Sequence, residues 1–457
     1  MKNYSINPTD KNAIEMFRSD AIGRNKEIVR FINLLDAISN GCAIALDGEW
    51  GNGKTFFIKQ TKLIMDYSNS FSDIEEETRN DIESALSAFE YRCSESYATV
   101  YYDAWANDNT EDPILSLIYT AMKDNQTKIK PENKVKLSEV FTAILDVVTG
   151  RNISTLCEKA RGDDLFESIK KEGDIQLLVK DFVQALIEER ANQLVIFIDE
   201  SDRCKPEYAM QLLERIKHYF DDERIIFVFS VNLSQLQHTV KSYYGAEFDA
   251  TRYLNKFFDL RVSLSKINYD SYIEKRFSFI RPSFFHGKIC VDTVKHFRLT
   301  LRETERFMRL IRIANQGDHY GPGRPSEMAY QFAHIFFVPI LIGLSMTDIE
   351  AYRRFISGDD PSCSYEILLE SKKALKNYLL GANEYFTGDE AEAKGDYDVA
   401  VRIDDRINAV YAELFPKISY QHGPAKHIGQ MEFSSRTRDE IHEIISLLSP
   451  VCDYDFK

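Results

Sequence analysis

Five short apolar runs organise the first half of this 457-residue chain, near 43–46, 98–103, 194–199, 225–231 and 257–264, each rich in β-branched or aromatic residues. Runs of that length and composition predict strands. Between them apolar residues recur at helical spacing, and unbroken apolar strands alternating with helices predict a parallel sheet covered on both faces, an α/β architecture. Ahead of the first strand, Ile28, Phe31, Ile32, Leu34 and Leu35 predict a helical lead-in over 1–40, with Asp20 as a cap. The core then spans 41–265 with a helical insertion over about 120–172. Beyond it the pattern turns helical, in a segment over 266–320 and an all-α C-terminal region over 321–457.

The most apolar window, Ile335 to Leu344, holds Pro339 and is too short by itself to span a bilayer; Val140 to Val148 is interrupted by Asp146. No transmembrane segment is expected. An excess of 72 acidic over 57 basic residues gives a formal charge of −15, which disfavours a broad grip on nucleic acid or an anionic membrane. Nucleic acid would need a local basic patch. The insertion is where an acidic partner would bind, through Lys123, Lys128, Lys130, Lys134 and Lys136, then Arg151, Lys159, Arg161, Lys170 and Lys171. Seven cysteines without a CxxC pair, and no secretory apolar segment after Met1, point to a reducing cytoplasm and against structural zinc. The acidic stretch Asp73 to Glu83 reads as a solvated helix face, and the acidic, turn-rich 384–405 as a loop or partner-facing surface. His422, His427 and His442 match no ligand spacing.

The chemistry begins at Gly48-Glu49-Trp50-Gly51-Asn52-Gly53-Lys54-Thr55, set between Ala43-Ile44-Ala45-Leu46 and Phe56-Phe57-Ile58, where a strand turns into a helix. This is a P-loop pattern. Gly51 and Gly53 let backbone N–H groups close around phosphate oxygens, Lys54 brings a point charge to the β- and γ-phosphates, and Thr55 holds Mg²⁺. The helix N-terminus adds partial positive charge to the same anion site. Gly48 through Thr55, with Phe56 behind them, are the expected nucleotide contacts, and ATP with Mg²⁺ the expected ligands.

The second motif, Leu194-Val195-Ile196-Phe197-Ile198-Asp199-Glu200, is an unbroken apolar run ending in two carboxylates, a Walker B pattern with an added glutamate. A buried strand would put Asp199 at the carboxyl edge of the sheet, where it accepts from Mg²⁺-bound water or from Thr55. Glu200 is then the candidate to orient or deprotonate the attacking water. Roughly 150 residues separate the motifs, room for a further strand, which favours the additional-strand class of P-loop ATPases and hydrolysis over transfer to a small acceptor.

Four stretches together resemble the KAP family of P-loop NTPases, a branch related to the STAND and AAA+ groups: the P-loop, Tyr101-Tyr102-Asp103-Ala104-Trp105, Asp199-Glu200-Ser201-Asp202-Arg203-Cys204, and Tyr253-Leu254-Asn255-Lys256-Phe257-Phe258. The resemblance covers about residues 20–310. Many members carry transmembrane helices between the Walker motifs, which this chain lacks, and the usual acidic pair is here Asp199-Glu200. What the resemblance implies is an ATP-hydrolysing switch with a helical lid, in a prokaryotic or mobile-element setting that includes defence against bacteriophage. The partner would be further copies of the chain, a separate effector, or both. It implies a polar sensor at Asn232, a helix-capping residue by the competing reading, and a sensor at Arg302 on the lid segment Thr300 to Met308. Asp202 and Arg203 would fix the loop or face a neighbouring subunit. Arg252 and Lys256 lie where related ring ATPases present a cation to the adjacent protomer, and Ile22-Gly23-Arg24 where the base is cradled. In a parallel sheet Asp103, Trp105 and Asn107 close the intervening strand at the same edge as the Walker residues, although core is the commoner fate of a strand tryptophan such as Trp105.

Overall fold

A computed structural model of the chain describes residues 8–69, 74–125 apart from 92, 94 and 111, then 180, 183–184, 187, 191–219, 222–277, 285–315, 325–369, 395–417, 425–428 and 431–448. The apolar runs form five strands: β1 (Cys42–Asp47), β2 (Tyr97–Asp103), β3 (Gln193–Asp199), β4 (Ile225–Val231) and β5 (Leu260–Ser263). They pair in parallel in the order β2-β3-β4-β1-β5. The strand that separates β1 from β3 in space is therefore β4. β2, which separates the two motifs in sequence, is the edge beyond β3.

Alternation along each strand feeds two hydrophobic layers. Ile196 and Ile198 of β3 with Phe227 and Phe229 of β4 face one layer, while Val195 and Phe197 with Ile226 and Val228 face the other. The first layer is completed by α5 (Pro113–Asn125), α6 (Pro206–Tyr219), α7 (Leu233–Tyr244) and the short α8 (Ala250–Leu254). The second is completed by α1 (Asp10–Ser19), α2 (Asn25–Asp36), α3 (Lys54–Ser68) and α4 (Glu76–Leu86). The lead-in helices thus build the core itself. Asp20 ends α1 in the left-handed region, and its Oδ1 accepts from Asn25 N at the start of α2. In α4, Ile82 and Leu86 are buried and the early glutamates exposed, as the acidic pattern implied. The basic insertion, beyond the backbone of α5, lies outside the described residues.

The chain divides between Ile267 and Asn268 into two compact units. The second holds α9 (Tyr269–Arg276), α10 (Phe285–His296), α11 (Leu301–Ala314), α12 (Pro325–Thr347), α13 (Ile349–Ile356), α14 (Ser362–Leu369), α15 (Gly395–Leu414) and α16 (Ser435–Leu448). A small antiparallel hairpin, β6 (Lys426–Ile428) with β7 (Met431–Phe433), interrupts what the sequence pattern made wholly helical. Three-residue strands carry too little periodicity to be told from loop. The acidic segment read as a loop or partner-facing surface is helical from Gly395 onward.

The apolar window around Pro339 belongs to the 23-residue α12, so shortness does not set it apart from a membrane span. Ser326–Thr347 is the one helix among the described residues long and apolar enough to cross a bilayer, and 72% of its most apolar window is buried inside the protein. Phe332, Phe336 and Phe337 of α12 are fully buried. Phe337 also meets Phe355 and Phe415, and Phe355 lies 5.0 Å from the ring of Tyr411 and 5.3 Å from that of Phe415.

Gly358 serves this cluster from the turn after α13. Its φ of +80° is costly for an L-residue, and a Cβ there would meet the Phe415 carbonyl oxygen at 2.3 Å. Gly358→Ala is expected to destabilise the protein by about 2–4 kcal/mol, because strain and a backbone collision add. A thermal melt monitors this; an unchanged transition would mean that the turn and Phe415 part freely.

Candidate nucleotide site

β1 delivers the chain to the carboxyl edge, where Gly48 N donates to the Val231 carbonyl at the end of β4 (3.1 Å). Gly51 and Gly53 take φ of 75° and 79°, a left-handed backbone that a side chain would disfavour by about 1–2 kcal/mol each. Gly53 then stands at the N-terminus of α3, whose unpaired N–H groups face the loop. The Lys54 ammonium is folded into the loop, donating to the carbonyls of Gly48 (2.6 Å) and Glu49 (3.1 Å). Burial pulls it below the ordinary lysine range, and the nearby Asp202 and Asp199 carboxylates oppose that shift.

Beneath the loop lies Arg24, 4% exposed. Its guanidinium donates to Asn52 O (2.6 Å), Asn52 Oδ1 (3.0 Å) and the Ser265 carbonyl, and its Nε is 3.5 Å from Glu27 Oε2. Glu27 in turn accepts from Ser265 N and Oγ, at 2.9 Å each. Arg24 therefore braces the P-loop tip against the chain leaving β5. Arg24→Met removes a charged donor from two part-buried carbonyls, a loss of about 1–3 kcal/mol. Nucleotide affinity is expected to fall about tenfold in titration with a fluorescent ATP analogue; full affinity would show the loop to be self-supporting.

β3 places Asp199 beside this loop, 1% exposed. Its Oδ1 accepts from Ser230 Oγ (2.6 Å), its Oδ2 from the Tyr101 hydroxyl (3.1 Å), and the Thr55 hydroxyl lies near enough to the carboxylate to favour its charged form. Burial raises its pKa against these three donors. Thr55 and Asp199, a hydroxyl and a carboxylate in contact, are hard oxygen ligands suited to Mg²⁺, which takes few protein ligands and completes its shell with water and phosphate. Sequence reasoning missed Ser230 and Tyr101. Ser230 left a signal, a lone polar residue in an otherwise apolar, fully buried strand.

Glu200 follows with φ 58° and ψ 24°, left-handed for a non-glycine residue. Burial raises its pKa, and the Arg203 guanidinium, 3.2 Å from Oε2, works in the opposite sense. Asp202 is fixed by two donors on Oδ2, Trp50 Nε1 (2.6 Å) and Asn232 N (3.2 Å). Asp103 pairs in register with Asp199 on the neighbouring strand and accepts from Ala106 N (2.9 Å), with Asn107 Nδ2 donating to its carbonyl (2.7 Å). Trp105 is not core: it is 51% exposed, with its ring over Arg203.

The remaining expected residues are Asn232, Arg252, Lys256 and Arg302. Asn232 ends β4 at this edge, and its side chain caps α7 by accepting from Gln235 N (3.3 Å). Arg252 and Lys256 are exposed near the start of β5. Asp259 pairs with Ala43 at the opposite end of β1 from the P-loop, so neither cation belongs to this chain's own site. Arg302 is exposed on α11 of the second unit, where Leu301, Phe307 and Ile311 form the buried face and Thr300 with Glu303 closes a capping box.

A family profile described as the KAP family P-loop domain matches residues 24–317. No curated protein matches the chain. Among solved structures, the Aeropyrum pernix ORC2 protein in ADPNP–ADP complexes is similar at 13% identity over 93% of this chain and 94% of that one, with a TM-score of 0.32. C. elegans PCH-2 aligns at 10% identity over 82% of this chain and 72% of that one, with a TM-score of 0.22. A chain of Drosophila ORC bound to poly(dA/dT) DNA and Cdc6 aligns at 10% identity over 96% and 71%, with a TM-score of 0.32.

Proposed function

The chain belongs to the KAP family of P-loop NTPases, and from that premise we propose that it hydrolyses ATP as a Mg²⁺-dependent molecular switch. The observation that carries this is the meeting of Thr55 and buried Asp199 across adjoining elements, with Glu200 next in the chain. In this reading the N–H groups of Gly51 to Thr55 and the start of α3 hold the phosphates. Lys54 exchanges its two loop carbonyls for phosphate oxygens. Thr55 and Asp199 would hold Mg²⁺, whose charge would help neutralise the phosphates. Ser230 and Tyr101 keep the Asp199 carboxylate oriented. Glu200 takes the proton of the attacking water.

Arg252 and Lys256, remote from this chain's P-loop, would serve only a neighbouring copy, so self-association belongs to the proposal. A role in bacterial antiphage defence, with the effector activity on a separate protein, rests on family likeness. The second reading, a nucleotide-binding scaffold with little turnover that recruits an effector, is favoured by the Glu200–Arg203 ion pair, which engages the base carboxylate. Phosphate release with ATP and Mg²⁺ separates the two: turnover dependent on Lys54 and Glu200 supports the enzyme, and tight retention of intact ATP supports the scaffold.

A further inference from the structure

Both tryptophans of the chain lie against one guanidinium. Arg203 Cζ stands 5.5 Å from the ring centroid of Trp50 and 5.5 Å from that of Trp105. Trp50 comes from the P-loop, Trp105 from the turn after β2 and Arg203 from the turn after β3, so three loops of the carboxyl edge converge on one cation. That cation is paired with Glu200 at 3.2 Å, and Arg203 N closes the turn onto Glu200 O at 3.1 Å. The left-handed backbone of Glu200 persists only where its surroundings over-determine it. Here they do, since Trp50 also anchors Asp202 in the same turn.

We propose that Arg203 is a positioning residue for Glu200, with the two indole faces setting the plane of its guanidinium and the guanidinium setting the direction of the carboxylate. The inference rests on the hydrolytic reading, in which Glu200 activates water. A planar cation can stack on rings and still present an N–H edge to a carboxylate, which a lysine ammonium does not reproduce. Because Arg203 meets Glu200 rather than the P-loop carbonyls, its loss should act on turnover and spare phosphate binding.

Arg203→Gln and Arg203→Lys, made in the full chain, test this by phosphate release, binding of a fluorescent ATP analogue and intrinsic tryptophan emission. In both variants kcat is expected to fall about ten- to a hundredfold, the scale of a misplaced catalytic group, with nucleotide affinity and KM within about twofold. Emission should shift in Arg203→Gln, where both indoles lose their cation. Combined with Glu200→Gln, Arg203→Gln should cost nothing further, because a positioning residue has nothing left to position. Trp105→Phe, a conservative change at an exposed site, guards against a fold effect and should lower kcat more mildly at full affinity.

An Arg203→Gln kcat equal to that of the unaltered protein would overturn the proposal. So would a loss that multiplies with that of Glu200→Gln, or affinity that falls in step with kcat. No phosphate from the unaltered protein would overturn the hydrolytic reading and this proposal together, whereas normal turnover indifferent to Arg203 overturns this one alone.

Discussion

Lys54→Ala is expected to weaken ATP binding by about 10²- to 10³-fold and to remove turnover. The ammonium makes two hydrogen bonds inside the loop, to Gly48 O and Glu49 O, from a site only 8% exposed. On binding, those contacts would be exchanged for charge-assisted bonds to phosphate oxygens, each worth about 1.5–3 kcal/mol. Two of them give about 3–6 kcal/mol, less what the two loop bonds supplied, which leaves the roughly 3–4 kcal/mol of a 10²- to 10³-fold change. The lysine is also held where burial disfavours its charge, with Asp202 and Asp199 opposing that effect, so the free loop gains little from it. Folding should survive the substitution and binding should not. Calorimetric titration with ATP and Mg²⁺ reads the binding and a thermal melt the fold, and affinity within fivefold of the unaltered protein would remove Lys54 from the phosphate site.

Glu200→Gln separates chemistry from binding. A positioned general base contributes about 10²- to 10⁴-fold, so kcat is expected to drop by at least about 10² while ATP affinity stays within about threefold. Glutamine preserves the side-chain length and leaves the left-handed turn, closed by backbone bonds and by Asp202, in place. The contrast with Lys54→Ala is diagnostic: one variant loses the nucleotide, the other keeps it intact. Equal, measurable turnover from Glu200→Gln and the unaltered protein in a single-turnover experiment would move the base elsewhere, whereas retention of intact ATP by both would leave the scaffold reading standing.

The residues legible in the sequence were those with a local cause. Gly51, Gly53, Lys54 and Thr55 announce a phosphate loop because its conformation and its charge are both set within eight positions. Asp199 and Glu200 announce themselves by ending a run of buried apolar residues. Asp202 and Arg203 stand out in the sequence as residues that fix the loop or face a neighbouring subunit, but their partners do not: Arg203 pairs with Glu200, and Asp202 with Trp50 and the Asn232 backbone. Trp105 was open between core and edge, and the choice depended on a cation from another strand's turn.

The sequence by itself determined the five strands, the helices between them and the two motifs, because hydrophobic period and loop chemistry are local properties of the chain. Only the tertiary structure decided that β4 separates the motif strands, that Ser230 and Tyr101 hold Asp199, that Arg24 braces the loop, and that Trp50 and Trp105 converge on Arg203. Each of these joins residues tens to hundreds of positions apart, and strand order and register, which bring them together, are set by the packing of both faces at once rather than by any one segment.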